Sequence, residues 1–211
     1  MIYSEKMLDG LRREVLSCMS ERRFVHTAEV EKMAVRLGEL YVPEKLDVLR
    51  VAALLHDVTK EKSSEEHFEI MKAYGVEISE LDRRSPKTLH AKTAALVIPD
   101  EFPSFADDEV ISCVRWHTTG HADMTLTEML IYLADYIDES RKFDDCVFLR
   151  NYFWSKEPQN MSVADRERHL FETVLLSFDM TVKSLEEEGA PISPETVDAR
   201  NFVICRLENN M

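Results

Sequence analysis

The stretch Val51-Ala52-Ala53-Leu54-Leu55-His56-Asp57-Val58-Thr59-Lys60 begins as a buried helix and then places two ionisable side chains side by side. Burying an unpaired charge costs more free energy than burying a neutral polar group. His56 and Asp57 therefore need a partner, which is either a hydrogen-bond network or a metal ion. Taken alone, such a pair is more often a capping or salt-bridge pair than a pair of metal ligands.

Four more candidate ligands occupy similar positions along the chain. Each lies on or beside an apolar helical stripe rather than on a charged face: His26, His90, His117 and Asp135. Each histidine could by itself be a hydrogen-bonded core residue. The aspartate is harder to explain, because a carboxylate among buried apolar residues needs a nearby cation. Six such side chains together predict a metal site in the core.

The composition favours an all-α protein. The chain has 211 residues, 45% of them hydrophobic, with only 5 Gly and 7 Pro, and we find no convincing run of alternating strand residues. We expect a single domain over residues 1–211, with a core at about 20–142 and C-terminal helices at about 143–211 packed on it. Helices are expected at residues 4–19, 64–74, 126–139 and 164–188 and from about His26, Pro43 and Pro194 onward. Residues 21–24 are expected to be a polar break, Pro99 to mark a loop and His67 to lie on the surface.

Charge and cysteine usage limit the partners. The formal net charge of −14 argues against non-specific nucleic-acid binding and against an anionic membrane surface. No apolar run reaches the ~20 residues that cross a bilayer, and the N-terminal sequence does not resemble a signal peptide. The four cysteines have no CxxC spacing and are expected to be reduced thiols, as in a cytoplasmic protein. They are Cys18, Cys113, Cys146 and Cys205.

Histidine and aspartate without thiolate form a ligand set that suits iron, manganese or zinc. The ligands come from five predicted helices, as in metal sites built in the core of a helical bundle. Six side chains exceed what one catalytic ion takes when it keeps a position open for water. They suit two ions bridged by a carboxylate, for which Asp57 is the candidate. Two such ions suit hydrolysis of a phosphoester or phosphoanhydride.

The order His26, His56-Asp57, His90, His117, Asp135 resembles the HD-domain superfamily of metal-dependent phosphohydrolases. Five further motifs look like the YqeK-type subfamily, the symmetrical bis(5'-nucleosyl)-tetraphosphatases: residues 23–27, 53–57 with Lys60, 116–120, 131–137 and 196–201. The resemblance extends from about residue 5 to residue 205. It implies an all-α HD-domain bundle with iron as the preferred metal, as one or two ions, although manganese or another divalent metal would also suit. It further implies that a metal-bound hydroxide attacks a phosphoanhydride of diadenosine tetraphosphate and releases two ADP.

The resemblance also implies roles for single residues. The primary iron site would use His26, His56, Asp57 and Asp135. His90 and His117 would hold a second ion or contact the substrate phosphates. Further phosphate contacts would come from Arg23, Lys60, Thr118 and Arg141, and the catalytic residues would be Asp57, Lys60 and Arg141. One departure is His121, where the family pattern has arginine; we expect this histidine to be exposed, and it puts the fine substrate preference in question.

Other functions stay open from the sequence. Another HD-type nucleotide phosphohydrolase, which acts on mononucleotides or cyclic dinucleotides, would use the same ligands. A diiron oxygenase would use them as well. A non-catalytic nucleotide-binding module would not need an open metal site. The basic residues Arg23, Lys60 and Arg141 favour hydrolysis of a small dinucleoside polyphosphate. An aromatic cluster at residues 148–154 suits either the core or a homodimer interface.

Overall fold

The computed structural model describes residues 3–209, and no β-strand occurs in that range. The all-α prediction is therefore confirmed. The α-helices are α1 (Glu5–Cys18), α2 (Glu21–Tyr41), α3 (Leu46–Leu55), α4 (Ser64–Ala73), α5 (Glu80–Arg84), α6 (Leu89–Glu101), α7 (Asp108–Trp116), α8 (Leu126–Ile137), α9 (Asp144–Ser155), α10 (Val163–Glu187) and α11 (Pro194–Asn209). Within residues 3–209, four short 3₁₀-helices, each beginning at a proline, cover Pro43–Lys45, Pro86–Thr88, Pro103–Phe105 and Pro158–Asn160.

Helix α3 is the apolar centre of the fold. All of its residues from Asp47 to Leu55 except Arg50 are buried, and it packs against α1, α2, α7 and α8. Because this helix ends at Leu55 inside the protein, the next two residues emerge into a buried turn rather than into solvent. The position of the His56-Asp57 pair thus follows from the apolar run that precedes it.

Helix α2 begins earlier than the sequence predicted. Ser20 is its N-cap, with a side-chain oxygen that accepts a hydrogen bond from Arg23 N at 3.2 Å, as serine commonly does at this position. The Glu61 carboxylate accepts a second hydrogen bond from Ser20 N at 2.7 Å. The prediction of a polar break at residues 21–24 was wrong, because this stretch forms the first turn of a capped helix. His26 consequently lies in the second turn of α2.

Helix α6 also differs from the prediction. It continues through Pro99 to Glu101, so the prediction that this proline marks a loop was wrong. A proline inside a helix removes one backbone hydrogen bond, and here the lost bond falls in the last turn.

The C-terminal helices pack on the metal-ligand core through α8. Helices α9 and α10 contact α8, and α11 packs along α10. The aromatic cluster predicted at residues 148–154 divides between core and surface, since Phe153 is fully buried whereas Phe148 is 54% exposed. Among the described helices, none is long and apolar enough to cross a membrane.

Candidate metal centre

Five helices bring the six predicted ligands together. His26 lies on α2, His90 on α6 and Asp135 on α8, whereas His56 and His117 follow directly after α3 and α7. Five of the six residues are buried in a helical core, where polar groups are normally paired, and the Asp135 side chain is 19% exposed. They form overlapping groups whose candidate ligand atoms lie within 4.8 Å of one another: His26, His56 and Asp57; His56, His117 and Asp135; Asp57, His90 and His117; and His26, Asp135 and Asp138.

Backbone hydrogen bonds fix the tautomers of two histidines. His56 Nδ1 donates to Ala53 O at 2.6 Å, and His117 Nδ1 donates to Val114 O at 2.7 Å. When Nδ1 carries the proton of a neutral imidazole, Nε2 offers its lone pair to a metal. His56 Nε2 lies 3.4 Å from Asp57 Oδ2 and His117 Nε2 lies 3.9 Å from Asp57 Oδ1, so both rings are oriented as metal ligands are.

Besides His26 Nε2 and Asp138 Oδ2, two more buried atoms of the centre have no hydrogen-bond partner in the described chain. They are His56 Nε2 and Asp57 Oδ1, and their residues are 0% and 2% exposed. A buried polar atom without a partner costs about 1–3 kcal/mol and needs an explanation. A divalent cation satisfies both atoms, because one offers a lone pair and the other a carboxylate oxygen. The residues present therefore fit a metal ion.

Asp57 lies at the middle of the cluster and contacts both halves of it. Its Oδ2 accepts a hydrogen bond from Arg23 Nη1 at 3.0 Å and lies 3.4 Å from His56 Nε2. Its Oδ1 is 3.3 Å from His90 Nε2 and 3.9 Å from His117 Nε2. This arrangement suits a carboxylate that bridges two ions.

Both central carboxylates are anionic in this environment. Burial acts to raise the pKa of Asp57, yet the neighbouring His56 and His90 hold that pKa well below its usual range. Burial acts in the same way on Asp135, whereas Arg141 and His26 hold its pKa well below the usual range. Arg141 donates to Asp135 Oδ1 at 2.6 Å. Two anions on one cluster supply the negative charge that binds a divalent cation.

His26 connects this cluster to Asp138, a carboxylate that was not among the predicted site residues. Its Nε2 lies 3.0 Å from Asp135 Oδ1, and its Nδ1 lies 3.3 Å from Asp138 Oδ2 and 3.1 Å from Ser140 Oγ. Burial lowers the pKa of His26, but the two carboxylates outweigh it and raise the pKa to about 9. A metal cation bound at Nε2 would take the place of the proton there. The only sequence signal for Asp138 was its spacing of three residues from Asp135.

The second pair of histidines is neutral. Their Nε2 atoms lie 3.0 Å apart, burial lowers the pKa of His117 to about 4, and burial together with Lys60 lowers the pKa of His90 well below its usual range. Lys60 Nζ lies 3.1 Å from His90 Nε2, and Thr118 Oγ1 lies 3.3 Å from the same atom. Burial also lowers the pKa of Lys60. Lys60 and Thr118, two of the residues predicted to contact phosphates, thus both lie beside His90.

The predicted surface position of His67 was wrong. This side chain is 4% exposed, and its Nδ1 lies 2.8 Å from Thr93 Oγ1 on α6. Glu65 and Glu66 flank it and indicate a surface, but His67 and Met71 share the face of α4 that packs on α6. His67 therefore supports the helix that carries His90 rather than facing solvent.

His121 is also less exposed than predicted. Its side chain is 26% exposed, its ring lies against Trp116 with centroids 4.6 Å apart, and its Nε2 is 3.2 Å from Glu128 Oε2. Glu128 is itself buried and forms the capping box of α8 with Thr125. The histidine thus links the loop after α7 to the start of α8.

The fold and the cluster define a class of protein. A model of the HD domain family matches residues 23–140, more than half of the chain, and the chain belongs to that family. The matched range contains all six predicted ligands, and the resemblance stated from the sequence is confirmed.

Relatives of known name match over nearly the whole chain. A symmetrical bis(5'-nucleosyl)-tetraphosphatase of Bacillus subtilis is 27% identical over 197 residues, which covers 92% of this chain and 97% of the relative. A protein of the same name from Staphylococcus aureus is 27% identical over 195 residues, covering 92% and 93%. A crystal structure from Clostridium acetobutylicum, described as a predicted HD superfamily hydrolase involved in NAD metabolism, superposes with a TM-score of 0.81 at 29% identity and covers 94% of this chain and 97% of that one.

Proposed function

We propose that the protein is a metal-dependent hydrolase that splits diadenosine tetraphosphate symmetrically into two ADP. The observation that carries the proposal is the buried cluster around Asp57, in which ligand atoms without hydrogen-bond partners lie next to cationic side chains. The full-length similarity to proteins named symmetrical bis(5'-nucleosyl)-tetraphosphatase supplies the substrate and the symmetry of cleavage.

The ligand groups suggest where metal ions would be held. One ion would lie between His26, His56, Asp57 and Asp135, and a second between Asp57, His90 and His117. We propose iron, because the nitrogen ligands of histidine and the oxygen ligands of aspartate suit this metal. Manganese or another divalent metal is the alternative. Bound there, such ions supply an activated water and neutralise the charge on the phosphoryl group.

The remaining residues of the centre position the phosphates. Arg23 and Arg141 hold the Asp57 and Asp135 carboxylates by hydrogen bonds of 3.0 and 2.6 Å and line cavities beside the cluster. Lys60 and Thr118 stand next to His90, where they would contact phosphate oxygens and stabilise developing negative charge.

The bond changes follow from the symmetry of the products. The oxygen of water bonds to one of the two central phosphorus atoms, and the bond from that phosphorus to the central bridging oxygen breaks. Hydroxyl adds to one product and a proton to the other, so that each product is ADP. ADP is a good leaving group and needs little help from an acid.

A second candidate function is hydrolysis of another nucleotide by the same centre. It is favoured by the structural neighbour from Clostridium acetobutylicum, whose description refers to NAD metabolism. A diiron oxygenase would use the same ligand set, but it would not need the cations at residues 23, 60 and 141. For the intact enzyme we propose a cytoplasmic location, with homodimer formation as a further proposal.

The test is anaerobic purification with metal analysis, followed by chromatography of the products formed from diadenosine tetraphosphate. Two ADP per substrate, with dependence on iron or manganese, would support the proposal. ATP and AMP would contradict the symmetrical cleavage while keeping the hydrolase, and oxygen consumption without hydrolysis would favour the oxygenase.

A variant makes the same test specific to the cluster. Asp57→Ala should lose both bound metal and activity, because it removes the central carboxylate. Asp198→Ala, on the exposed face of α11, is the matched control and should keep both. An active, metal-free Asp57→Ala protein would refute the metal-dependent mechanism.

A further inference from the structure

A cavity of about 750 Å³ opens beside His26. We call it the Arg22 cavity, and the residues that characterise its lining are Arg22, Arg23, Val25, Ser140, Lys142 and Phe143. They come from the first turns of α2 and from the segment between α8 and α9. This volume is within the range of cavities that hold ligands of nucleotide size.

Two of the lining residues are exposed apolar side chains. Phe143 is 70% exposed and Val25 is 59% exposed. Phe143 is the N-cap residue of α9 but makes no side-chain hydrogen bond to that helix, as an aromatic ring cannot. The fold thus gains neither a cap nor a buried core contact from this ring, which is available to a ligand in the cavity.

The cavity is cationic although the protein is acidic. Arg22, Arg23, Arg141 and Lys142 line it, against one acidic residue, Glu61, whereas the whole chain has a net charge of −14. The Glu61 carboxylate is occupied by the backbone and hydroxyl of Ser20, each at 2.7 Å. Arg22 makes no ion pair within residues 3–209. The lining therefore favours an anionic group next to the metal ligands.

A second cavity, of about 370 Å³, shares residues with the first. It is lined by Lys60, His117 and Thr118, and Arg141 and Phe143 belong to both cavities. A dinucleotide that is cleaved at its centre has two equivalent halves, and it needs space on each side of the reacting phosphorus. The two adjoining cavities provide that space.

We infer that the Arg22 cavity binds one nucleoside diphosphate half of the substrate, with its base stacked on Phe143 against Val25 and its phosphates at Arg22 and Arg23. This inference rests on the proposed function. Stacking on an aromatic ring does not distinguish one base from another, because every base has a π-face. Two polar groups of the lining, Ser140 Oγ and the Glu61 carboxylate, are already hydrogen-bonded. The cavity therefore accepts adenine and guanine nucleotides alike.

The test is calorimetric titration of the metal-loaded protein with ADP, GDP and inorganic pyrophosphate. The variants are Phe143→Ala, Phe143→Trp and Phe148→Ala. Phe148 is the matched control, since it is an exposed aromatic residue on α9 that does not line either cavity. Phe143→Ala should weaken ADP and GDP about 10-fold, the usual effect of removing a stacking ring, and leave pyrophosphate unchanged. Phe143→Trp and Phe148→Ala should bind all three like the wild type.

Three results would overturn the inference. They are unchanged ADP affinity in Phe143→Ala, an equal loss for ADP and pyrophosphate, and wild-type affinities for ADP and GDP that differ more than 10-fold. A different result would refute the proposed function: a wild-type protein that does not release two ADP from diadenosine tetraphosphate. Loss of ADP binding in Phe143→Ala would still support stacking of a base on Phe143 in that case, because the titration does not depend on turnover.

Discussion

His26 Nδ1 lies 3.3 Å from Oδ2 of Asp138, a carboxylate that is completely buried. The other oxygen of Asp138 accepts hydrogen bonds from the backbone N of Ser140, at 2.8 Å, and from its hydroxyl. A carboxylate on one nitrogen of a histidine fixes the orientation of the ring and makes the other nitrogen a better metal ligand. Asp138 thus directs His26 Nε2 toward Asp57 and Asp135.

Asp138→Asn should therefore weaken metal binding roughly 10- to 100-fold, the usual cost of losing such a supporting group. The amide keeps the shape of the side chain but not its charge. The measurement is the apparent dissociation constant of the metal in competition with a chelator of known affinity. Asp198→Asn, on the exposed face of α11, should be unchanged, and an unchanged constant for Asp138→Asn would show that Asp138 does not support the ligand.

Arg150 stabilises the same segment through its backbone. The residue is 9% exposed, and its guanidinium donates to the carbonyl oxygens of Ile137, at 2.7 Å, Arg141, at 2.8 Å, and Asp138. Arg150→Lys keeps the charge but cannot reach three carbonyls with the same geometry. A buried carbonyl without a partner costs about 1–3 kcal/mol, so the melting temperature should fall by roughly 4–10 °C.

The measurement for Arg150→Lys is thermal unfolding together with kcat. The value of kcat should fall as well, because the segment also carries Arg141. Arg206→Lys serves as the control, because the Arg206 side chain is 46% exposed. Equal melting temperatures for the two variants would mean that the backbone contacts of Arg150 contribute little.

Most of the helices and the clustering of the six candidate ligands could be predicted, because they follow from local sequence patterns. The apolar run before His56 determines a buried helix, and the cost of burying Asp57 and Asp135 requires a cation wherever the helices lie. The Ser20 cap of α2 was also readable, but the charged residues after it obscured the start of the helix.

Other features depend on contacts that no local pattern records. His67 is buried because α4 packs on α6, which brings it to Thr93, 26 residues away in sequence. His121 is paired because the loop after α7 folds back on Glu128. No sequence pattern indicates that the Arg150 guanidinium donates hydrogen bonds to backbone carbonyls. These residues support the site from outside, and only the packing of the helices identifies them.

Removal of the metal should lower the melting temperature without unfolding the protein. A ligand that binds only the native state stabilises it by about 2.7 kcal/mol at one hundred times its dissociation constant. For a chain of this size, we expect a shift of roughly 5–10 °C between metal-loaded and chelator-treated protein. The helices should persist, because the core around α3 is apolar. The far-ultraviolet circular dichroism spectrum and a thermal melt measure both effects, and Asp57→Ala should show no metal-dependent shift.

Gly120 follows the loop that carries His117 and Thr118, and it has a positive φ of 63°. A Cβ atom there would lie 2.8 Å from both Ala199 Cβ and Phe178 Cζ. Gly120→Ala should therefore combine two costs, about 1–2 kcal/mol for the left-handed backbone and about 1–3 kcal/mol for overpacking.

Gly75 separates these two costs. Its φ is 70°, but a Cβ atom there would meet nothing within 4 Å. Gly75→Ala should thus lose only the backbone contribution, whereas Gly120→Ala should unfold at a clearly lower denaturant concentration and also lose activity through displacement of Thr118. Equal unfolding midpoints for the two variants would contradict close packing of α10 and α11 against this loop. A loss of activity in Gly120→Ala but not in Gly75→Ala would show that the C-terminal helices help to hold the phosphate side of the metal centre in place.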